Sequence, residues 1–284
     1  ELGISKSAVS KRITQLEDQL AARLIHRTTR KLSLTEAGER FYEHAQKATL
    51  SAQNAEDSVS ELQGEPSGLL KIHVPMSFGL LHIASLIPVF LKRYPKINIE
   101  LVMDDKMVDL VEQGFDLSIR AGDLPDSTLI ARRLAPLNSV ICMAPEYVTQ
   151  TALNSPKDLE KENCILYSYS SNSDHWEFTS CEKNEDIKVK VRGNYRVNNS
   201  EALKEAILKG CGIGRLPSFV AGKDIMHTGK LVQLFSEYKM PSKAIYAVYP
   251  ERNYVPEKVR AFLDFSIEYF GKDTPYWDDG LLND

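Results

Sequence analysis

Residues 35–62 constrain the fold of this chain most, because they predict one long, unbroken helix. No proline occurs between Thr35 and Pro66, and apolar or small residues recur at alternating spacings of four and three. This spacing is the heptad period of helices that wind around one another. The seam consists of Phe41, Ala45, Ala48, Ala52, Ala55, Val59 and Leu62.

Two interpretations of this helix are open. It could pack along its own domain, or it could pair with the same helix of a second chain. A lone helix of this polarity buries too little apolar surface to hold itself, which favours pairing. The pattern therefore predicts a linker and dimerisation helix over residues 35–63, between a head of residues 1–34 and, after a Gly/Pro hinge at 64–68, a body of residues 69–284.

The head differs from the body in charge. The whole chain carries a net charge of -4, but residues 1–31 hold seven cations against three anions, a net +4, which leaves about -8 for the rest. A small basic head on an acidic body indicates a polyanionic partner for the head alone.

The head opens with a predicted amphipathic helix. Ser5 is a suitable N-cap, and Val9, Ile13, Leu16 and Leu20 form one apolar stripe. A helix that enters the DNA major groove needs short hydrogen-bonding side chains and cations on its free face. Residues of that kind are Ser5 at the start of the helix and, opposite or beside the stripe, Ser7, Ser10, Lys11, Arg12 and Thr14. An ordinary amphipathic surface helix is the alternative.

The next segment favours the DNA interpretation. Residues 24–34 have apolar ends and a basic, threonine-rich centre, which predicts a short hairpin. A helix followed by a basic hairpin is the pattern of a winged helix-turn-helix, with the helix in the groove and the hairpin on the phosphates. The hairpin residues expected to contact double-stranded DNA are Arg27, Thr29, Arg30 and Lys31.

The head resembles the DNA-binding domain of the LysR-type transcriptional regulators. The residues that carry the resemblance are Ala8-Val9-Ser10, Ile13, Leu16-Glu17, Leu20, Arg27 and Leu34-Thr35-x-Ala37-Gly38. The chain departs from the family pattern at Ala21, where glycine is usual, and at Ile25, where phenylalanine is usual. The family carries a further helix and a half upstream, so the resemblance implies that this sequence is truncated and that a version starting at Glu1 binds DNA poorly.

Strand and helix patterns alternate through the body, which predicts an α/β fold with mostly parallel pairing. Strands are expected at residues 69–74, 97–103 and 115–120, and helices at residues 83–94, 107–113 and 200–209.

The body resembles the LysR-type effector domain, a two-lobed α/β fold of the type 2 periplasmic-binding-protein kind. Its matching motifs include Tyr94-Pro95, Gly114-x-Asp116-Leu117-x-Ile119-Arg120-x-Gly122 and Gly212-Ile213-Gly214-x-Leu216-Pro217. The resemblance implies lobe I at residues 69–142 and 248–284 and lobe II at residues 143–247. It also implies a small-molecule effector in the cleft, self-association through the linker helix into dimers and then tetramers, and RNA polymerase as a further partner.

Ligands of open α/β sheets bind beyond the carboxyl ends of the strands, near helix N-termini. This rule selects an effector site made of Met76, Ser77, Phe78, Asp105, Arg120, Tyr167, Asn199 and Ser200. A structural ion pair is the alternative role for Arg120, and helix capping is the alternative for Asn199 and Ser200.

The sequence offers little support for an enzyme. The six histidines are scattered, and the chain has no G-x-S-x-G elbow, no phosphate-binding loop and no cysteine cluster for zinc. We therefore expect no catalytic residue, metal or cofactor. The four cysteines are expected to be free thiols, with a redox sensor as the alternative. No apolar run approaches the ~20 residues of a membrane span, so a cytoplasmic protein without a membrane is expected. The competing functional hypothesis is a solute-binding domain that does not regulate DNA.

Overall fold

The computed structural model of the chain describes residues 5–27, 32–61, 65–124, 126–148, 153–170, 172–250, 255–271 and 273–281. In the head, helix α1 spans Lys6–Leu20, and a hairpin follows from β1, Ile25–Arg27, and β2, Leu32–Leu34. The long helix α2 spans Glu36–Glu61. The helix, the hairpin and the linker helix lie where the sequence predicts them.

Local capping explains where the helices of the head begin. The Ser5 hydroxyl accepts a hydrogen bond from the Ala8 amide at 3.3 Å, and the Thr35 hydroxyl accepts one from the Gly38 amide at 2.9 Å. Such hydroxyls satisfy amides of the first turn that have no partner inside the helix. Gly38 has a second role, since a Cβ there would lie 2.0 Å from the Leu24 carbonyl oxygen. Only a glycine lets α2 approach the hairpin this closely.

The body contains two large mixed sheets, a smaller three-stranded sheet and six helices among its described residues. Its strands are β3 Gly68–Val74, β4 Ile97–Met103, β5 Leu117–Ala121, β6 Leu129–Leu137, β7 Ser139–Met143, β8 Cys164–Tyr167, β9 His175–Ser180, β10 Asp186–Lys190, β11 Arg196–Val197, β12 Ile213–Pro217, β13 Val232–Leu234, β14 Tyr238–Lys239 and β15 Lys243–Pro250. Its helices are α3 Met76–Phe78, α4 Ala84–Arg93, α5 Pro145–Val148, α6 Ser200–Leu208, α7 Ser218–Met226 and α8 Glu257–Phe270, with a π-helical turn at Gly79–Ile83 and a 3-10 turn at Pro156–Lys161.

The two large sheets define two lobes. Lobe I has the strand order β4-β3-β5-β15-β6, and lobe II has the order β11-β8-β12-β7-β13. The chain therefore crosses at Asn138, between β6 and β7, and returns before Lys243. Both boundaries predicted from the sequence, at 142/143 and 247/248, are wrong by about five residues, because β7 belongs to lobe II and all of β15 belongs to lobe I. At each crossing the chain is extended on both sides, so the local sequence pattern does not show where one lobe ends and the other begins.

The pairing within the large sheets is evenly mixed rather than mostly parallel. β3 pairs in parallel with β4 and β5, and β8 with β11 and β12. The strands next to the crossings run the other way: β15 is antiparallel to β5 and β6, and β7 is antiparallel to β12 and β13. The reversal follows from the two passages of the chain between the lobes.

The helix expected at residues 107–113 is not present; the chain there forms turns. The Asp109 carboxylate accepts hydrogen bonds from the amides of Val111 and Glu112, at 2.9 and 3.0 Å, and thereby closes a single turn. Leu110 and Phe115 anchor the segment in a small apolar cluster with Val248. The apolar spacing that suggested a helix reflects these two anchor points.

The stretch Met76–Arg93 forms the first helical layer of lobe I. Among the described residues it is the one helix long and apolar enough to cross a membrane by length and composition, with a mean hydropathy of 1.2. Its apolar character has a structural cause: Phe78, Ile83, Leu86 and Phe90 are all buried in the main core.

A C-terminal segment, residues 273–281, packs against both lobes. The Trp277 ring lies 5.7 Å from that of Phe78 in lobe I and 6.3 Å from that of Phe219 in lobe II. The Asp278 carboxylate accepts a hydrogen bond of 2.8 Å from the Asn138 amide at the crossing point. The segment thus lies across the connection between the lobes.

Candidate nucleic-acid interface and ligand cleft

The free face of α1 presents the side chains that the sequence selects for DNA. Ser7, Ser10, Lys11 and Arg12 are exposed, and Thr14 is half-buried. The Thr14 hydroxyl donates to the Ser10 carbonyl at 3.0 Å, and the hydroxyls of Ser5 and Ser7 lie 2.9 Å apart. Within the described part of the chain, neither Lys11 nor Arg12 has an acidic partner, so both charges are available to a polyanion.

The hairpin beside α1 is antiparallel, with Ile25 opposite Leu34 and Arg27 opposite Leu32. The predicted contact residues at its tip, Thr29, Arg30 and Lys31, lie outside the described residues, as does the side chain of Arg27.

Glu17 fixes the hairpin to α1, a role that the site prediction missed. This carboxylate is only 3% exposed and accepts hydrogen bonds from the amides of Leu24 and Ile25, at 2.9 and 3.2 Å, and from Arg23 at 2.9 Å. The Leu24 amide is the main cause that lowers the pKa of Glu17, with contributions from Ile25 and Arg23. The sequence contained a signal for this role: Glu17 lies four residues after Ile13, so its carboxylate was expected on the apolar, buried side of the helix.

The predicted dimerisation seam on α2 is partly open to solvent in the single chain. Phe41 and Ala45 are half-buried, whereas Ala48 and Ala52 are exposed. Ala55 and Val59 lie within α2, but their side chains, like the whole of Leu62, lie outside the described part. Near the start of the seam, Ala45 and its neighbours Tyr42 and Thr49 line a groove of about 800 Å³ against lobe I.

The cleft between the lobes brings together several of the predicted effector residues. The Asp105 carboxylate accepts hydrogen bonds from the Met76 amide, at 3.0 Å, and from the Asn199 side chain in lobe II, at 3.2 Å. We call the bond between Asp105 and Asn199 the cross-lobe clasp. The Asn199 oxygen also caps α6, accepting from the amides of Glu201 and Ala202 at 3.0 and 3.1 Å. Asn199 therefore caps α6 and also lies at the cleft, so the two alternatives predicted for it occur together.

Ser77 lies beside this clasp with an unsatisfied hydroxyl. It is 3% exposed, and its oxygen has no hydrogen-bond partner among the described residues. Buried hydroxyls are normally hydrogen-bonded, so an orphan next to a cleft is a position for a ligand atom. Met76, the preceding residue, is 41% exposed, and Ser200 begins α6 on the other side.

Tyrosines provide further hydroxyls at the cleft. Burial is the main cause that raises the pKa of Tyr167 to about 12, and the nearby Asp105 adds to it. The ring of Tyr167 lies 6.2 Å from that of Tyr169, whose hydroxyl accepts from the Asn198 side chain at 3.2 Å. Tyr169 was not among the predicted site residues. At neutral pH Tyr167 is thus an uncharged donor.

Two predicted effector residues are not placed at the cleft. Phe78 is 1% exposed and packs edge-on against Phe219, with ring centroids 5.2 Å apart, so it supports Ser77 from the core and offers no surface to a ligand. The Arg120 side chain donates to the Val108 carbonyl at 3.4 Å, and burial lowers the pKa of its guanidinium. Strand alternation explains this, since Arg120 projects to the opposite face of β5 from Ile119 in the main core.

Among the described residues, no group of three or more His, Cys, Asp or Glu side chains could hold a metal ion. The four cysteines are free thiols. Burial is the main cause that raises the pKa of Cys142 and of Cys164 to about 12, which leaves both thiols protonated and unreactive at neutral pH.

Comparisons with known proteins agree with this architecture. Residues 1–39 match the bacterial regulatory helix-turn-helix protein family of lysR type, and residues 63–271 match the LysR substrate binding domain. The HTH-type transcriptional regulator PtxR of Pseudomonas aeruginosa is 36% identical over 273 residues, which cover 96% of this chain and 86% of that protein.

Solved structures of full-length regulators are similar to the whole chain. A full-length variant of AphB has a TM-score of 0.71 and 29% identity, over 94% of this chain and 90% of that one. The LysR-type regulator CrgA of Neisseria meningitidis has a TM-score of 0.64 and 31% identity, over 94% of this chain and 90% of that one. These matches favour a DNA-binding regulator over a solute-binding protein that lacks a head.

Proposed function

The chain belongs to the LysR family of helix-turn-helix transcriptional regulators, and from this premise we propose how it reads DNA and what controls it. It is a DNA-binding regulator with a winged helix-turn-helix head and a two-lobed α/β body. In the proposal, α1 enters the major groove of an interrupted palindrome while the hairpin follows the phosphates. A small molecule in the cleft of the body changes operator binding or activation.

One observation carries the DNA-reading proposal: the free face of α1 holds hydroxyls together with two exposed cations, Lys11 and Arg12, that have no acidic partner among the described residues. Ser7, Lys11 and Thr14 are proposed to contact base edges, since they lie along the middle of that face. Ser5, Ser10, Arg12 and the hairpin residues Arg27, Thr29, Arg30 and Lys31 are proposed to contact phosphates or flanking positions. The exposed state of Lys11 and Arg12 supports contact of both side chains with DNA.

Lys11→Ala in the full-length protein tests this assignment. We expect the change to alter which operator variants bind, because a side chain that contacts a base edge discriminates between bases at roughly 1–3 kcal/mol per position. The measurement is fluorescence anisotropy with a set of operators that differ by single base pairs. Lys183→Ala, which removes an exposed cation from lobe II, is the matched control. If affinity for every operator falls equally, Lys11 contacts phosphate instead.

Self-association is the second part of the proposal. The α2 seam from Phe41 to Leu62 is proposed to pair two chains, so that two heads reach two half-sites, and two such dimers are proposed to form a tetramer. The exposure of Ala48 and Ala52 in the single chain supports pairing over packing within one chain. RNA polymerase is proposed as a further partner, and the cytoplasm as the compartment where the regulator meets its DNA.

The effector site is proposed to consist of Met76, Ser77, Asp105, Tyr167, Asn199 and Ser200. The unsatisfied Ser77 hydroxyl and the cross-lobe clasp support this location, since a ligand at the clasp would alter a bond that joins the two lobes. Hinge closure around a ligand is a common response of two-lobed folds.

A further inference from the structure

The two passages of the chain between the lobes meet at Asn138. Asn138 itself is the first passage, between β6 and β7, and the second comes just before Lys243, where β15 begins. In the second passage the Ser242 hydroxyl donates to the Asn138 side-chain oxygen at 3.4 Å. The backbone carbonyl of Asn138 also accepts from the Ser218 amide, at 2.9 Å, where α7 begins. Asn138 therefore connects both passages of the hinge with a helix of lobe II.

The C-terminal segment, residues 273–281, binds the remaining polar group of Asn138. The Asn138 side-chain amide donates to the Asp278 carboxylate at 2.8 Å. Asp278 is only 5% exposed, and among the described residues it has no cationic partner. Burial raises the pKa of Asp278, and the nearby Ser218 hydroxyl and the Asn138 amide oppose that rise. Since a buried carboxylate without a cation is costly, the charge of Asp278 weakens the contact that places the segment at the hinge.

His82 joins the same segment to both lobes. It lies in the π-helical turn of lobe I and is 5% exposed. Burial lowers the pKa of His82 to about 4, so the imidazole is neutral at neutral pH. Its Nε2 lies 3.2 Å from the carbonyl oxygen of Phe219 in lobe II, and its Nδ1 lies 2.6 Å from the Tyr276 hydroxyl. Because a carbonyl oxygen can only accept, Nε2 carries the proton and Nδ1 accepts from Tyr276.

Trp277 extends the contact to the back of the predicted effector site. Its ring centroid lies 4.5 Å from that of His82 and 5.7 Å from that of Phe78, both in lobe I. The same centroid lies 6.3 Å from that of Phe219 in lobe II. Phe78 directly follows Ser77, whose buried hydroxyl has no hydrogen-bond partner among the described residues. A displacement of Trp277 would therefore remove aromatic support from the turn that carries Ser77.

A glycine in α7 makes room for the segment. Gly222 lies in the middle of this helix, where glycine lowers helix stability relative to alanine. The nearest neighbours of a Cβ added there would be the Trp277 carbonyl oxygen, at 2.8 Å, and Cδ2 of Leu281, at 3.5 Å. Gly222 thus weakens its own helix and admits the C-terminal segment. The match to the LysR substrate binding domain ends at residue 271, so the segment lies outside that match.

We propose that the C-terminal segment is a regulatory element of the body: when docked it holds the two lobes in one orientation at the hinge, and when released it frees the hinge and the Ser77 turn of the cleft. Closure of a two-lobed fold around a ligand requires rotation about the chain passages. A segment that binds Asn138 and both lobes opposes that rotation. The inference goes beyond the proposed function and rests on it only for the role of the cleft.

Gly222→Ala in the full-length protein tests this role without a ligand. The change favours α7 as a helix, but its methyl group would overlap the backbone of Trp277. We expect roughly tenfold faster hydrogen exchange, a loss of about 1.4 kcal/mol of local stability, in residues 273–281, 76–83 and 136–140. Strands β4 and β8 should keep their protection, because each pairs within one lobe. Lys223→Ala, at the next and exposed position of α7, is the matched control.

Two changes at Asp278 should act in opposite directions. Asp278→Asn removes the buried charge and keeps an oxygen that accepts from Asn138, so residues 273–281 should exchange hydrogen more slowly at pH 7. Asp278→Ala removes the acceptor and leaves the Asn138 amide without its partner, so the same residues should exchange faster. Asp279→Asn and Asp279→Ala, at the exposed neighbouring position, are the matched controls and should leave the exchange unchanged.

Three results would overturn the inference. Full protection of residues 273–281 in both Gly222→Ala and Asp278→Ala would show that the segment is a fixed part of the fold. Faster exchange in residues 273–281 alone, with residues 76–83 and 136–140 unchanged, would show that the segment does not hold the hinge. Faster exchange throughout β4 and β8 would show that it supports the folding of the lobes and not their orientation. Operator binding by the wild type is measured in parallel; its absence would contradict the proposed function and leave the exchange results to decide the role of the segment.

Discussion

The buried carboxylate of Glu17 connects α1 to the hairpin of the head. It is nearly inaccessible, and three donors from residues 23–25 converge on it, so α1 and the hairpin share a single acceptor. A carboxylate that receives backbone amides is stabilised in its charged form. The charged form of Glu17 thereby fixes the angle between the helix that would read bases and the hairpin that would follow phosphates.

Glu17→Gln should weaken the head in a pH-dependent way. The pKa of Glu17 in the folded protein is lowered from its ordinary value of 4.5. Its contribution to stability is therefore complete above that ordinary value and is lost as pH falls through the folded pKa. We expect Glu17→Gln to lower the midpoint of head unfolding at pH 7 and to approach the wild type at lower pH.

Urea unfolding is monitored through the hydrogen exchange of peptides from α1, at pH 7 and near pH 3.5. Glu39→Gln, at an exposed position of α2, is the control. If Glu17→Gln lowers the midpoint of head unfolding equally at both pH values, the charge of Glu17 does not contribute and only the shape of its side chain does.

At the scale of elements, α2 carries the clearest consequence for assembly. Ala48 and Ala52 sit at the middle of the seam, exposed in the single chain and small enough for two backbones to approach. A large or charged group there would be incompatible with a close pair of helices. The rest of the body has its own cores and does not depend on this seam.

Ala52→Glu should therefore lower the ratio of full-palindrome to half-site affinity toward one, because two like charges would meet across the paired helices. Half-site binding should persist, since the heads are untouched. The ratio is measured by anisotropy with full and half operators, and Ala52→Ser, which stays small and uncharged, is the control. An unaltered ratio in Ala52→Glu would mean that α2 packs within one chain.

Elements were predictable from the sequence where their causes are local. The N-caps at Ser5, Thr35 and Asn199 each act within three residues of their own position, and the predicted helix starts follow them. The turns at residues 107–113 were mistaken for a helix because Leu110 and Phe115 are buried against Val248, which is distant in the chain. Ala21 similarly adopts a left-handed conformation, with a φ of 50°, to end α1 where the family pattern has glycine. Among the described residues the Ser77 hydroxyl has no hydrogen-bond partner, and this state depends on its neighbours in three dimensions, which no spacing in the sequence encodes.

At the scale of the whole molecule, the cross-lobe clasp joins two units that otherwise have separate sheets. Asn199 both caps α6 and donates to Asp105, so the start of a lobe II helix is tied to the loop after β4 in lobe I. A ligand that displaces this donor would release the lobes at the cleft, while the C-terminal segment with Trp277 still joins them on its own side.

Asn199→Ser should separate these two roles, since serine can cap α6 but is too short to reach Asp105. We expect amides of residues 76–78 and 104–106 to exchange hydrogen faster, while the first turn of α6 keeps its protection. Asn199→Ala, which loses the cap as well, should expose both regions. Hydrogen exchange with mass spectrometry on the full-length protein measures this. Unchanged exchange at residues 76–78 and 104–106 would show that the clasp does not hold the lobes together.

The strand order of lobe I also has a consequence for synthesis on the ribosome. β15 lies between β5 and β6, so each of those strands has an unpaired edge until residues 243–250 have emerged from the ribosome. Every strand of the lobe II sheet, by contrast, lies within residues 139–234 and is complete beforehand. All strands of the lobe II sheet are therefore available for pairing before the last strand of the lobe I sheet, although lobe I begins the body. A nascent chain that stalls before residue 243 would present two unpaired strand edges, which are sites where other chains can add and aggregate.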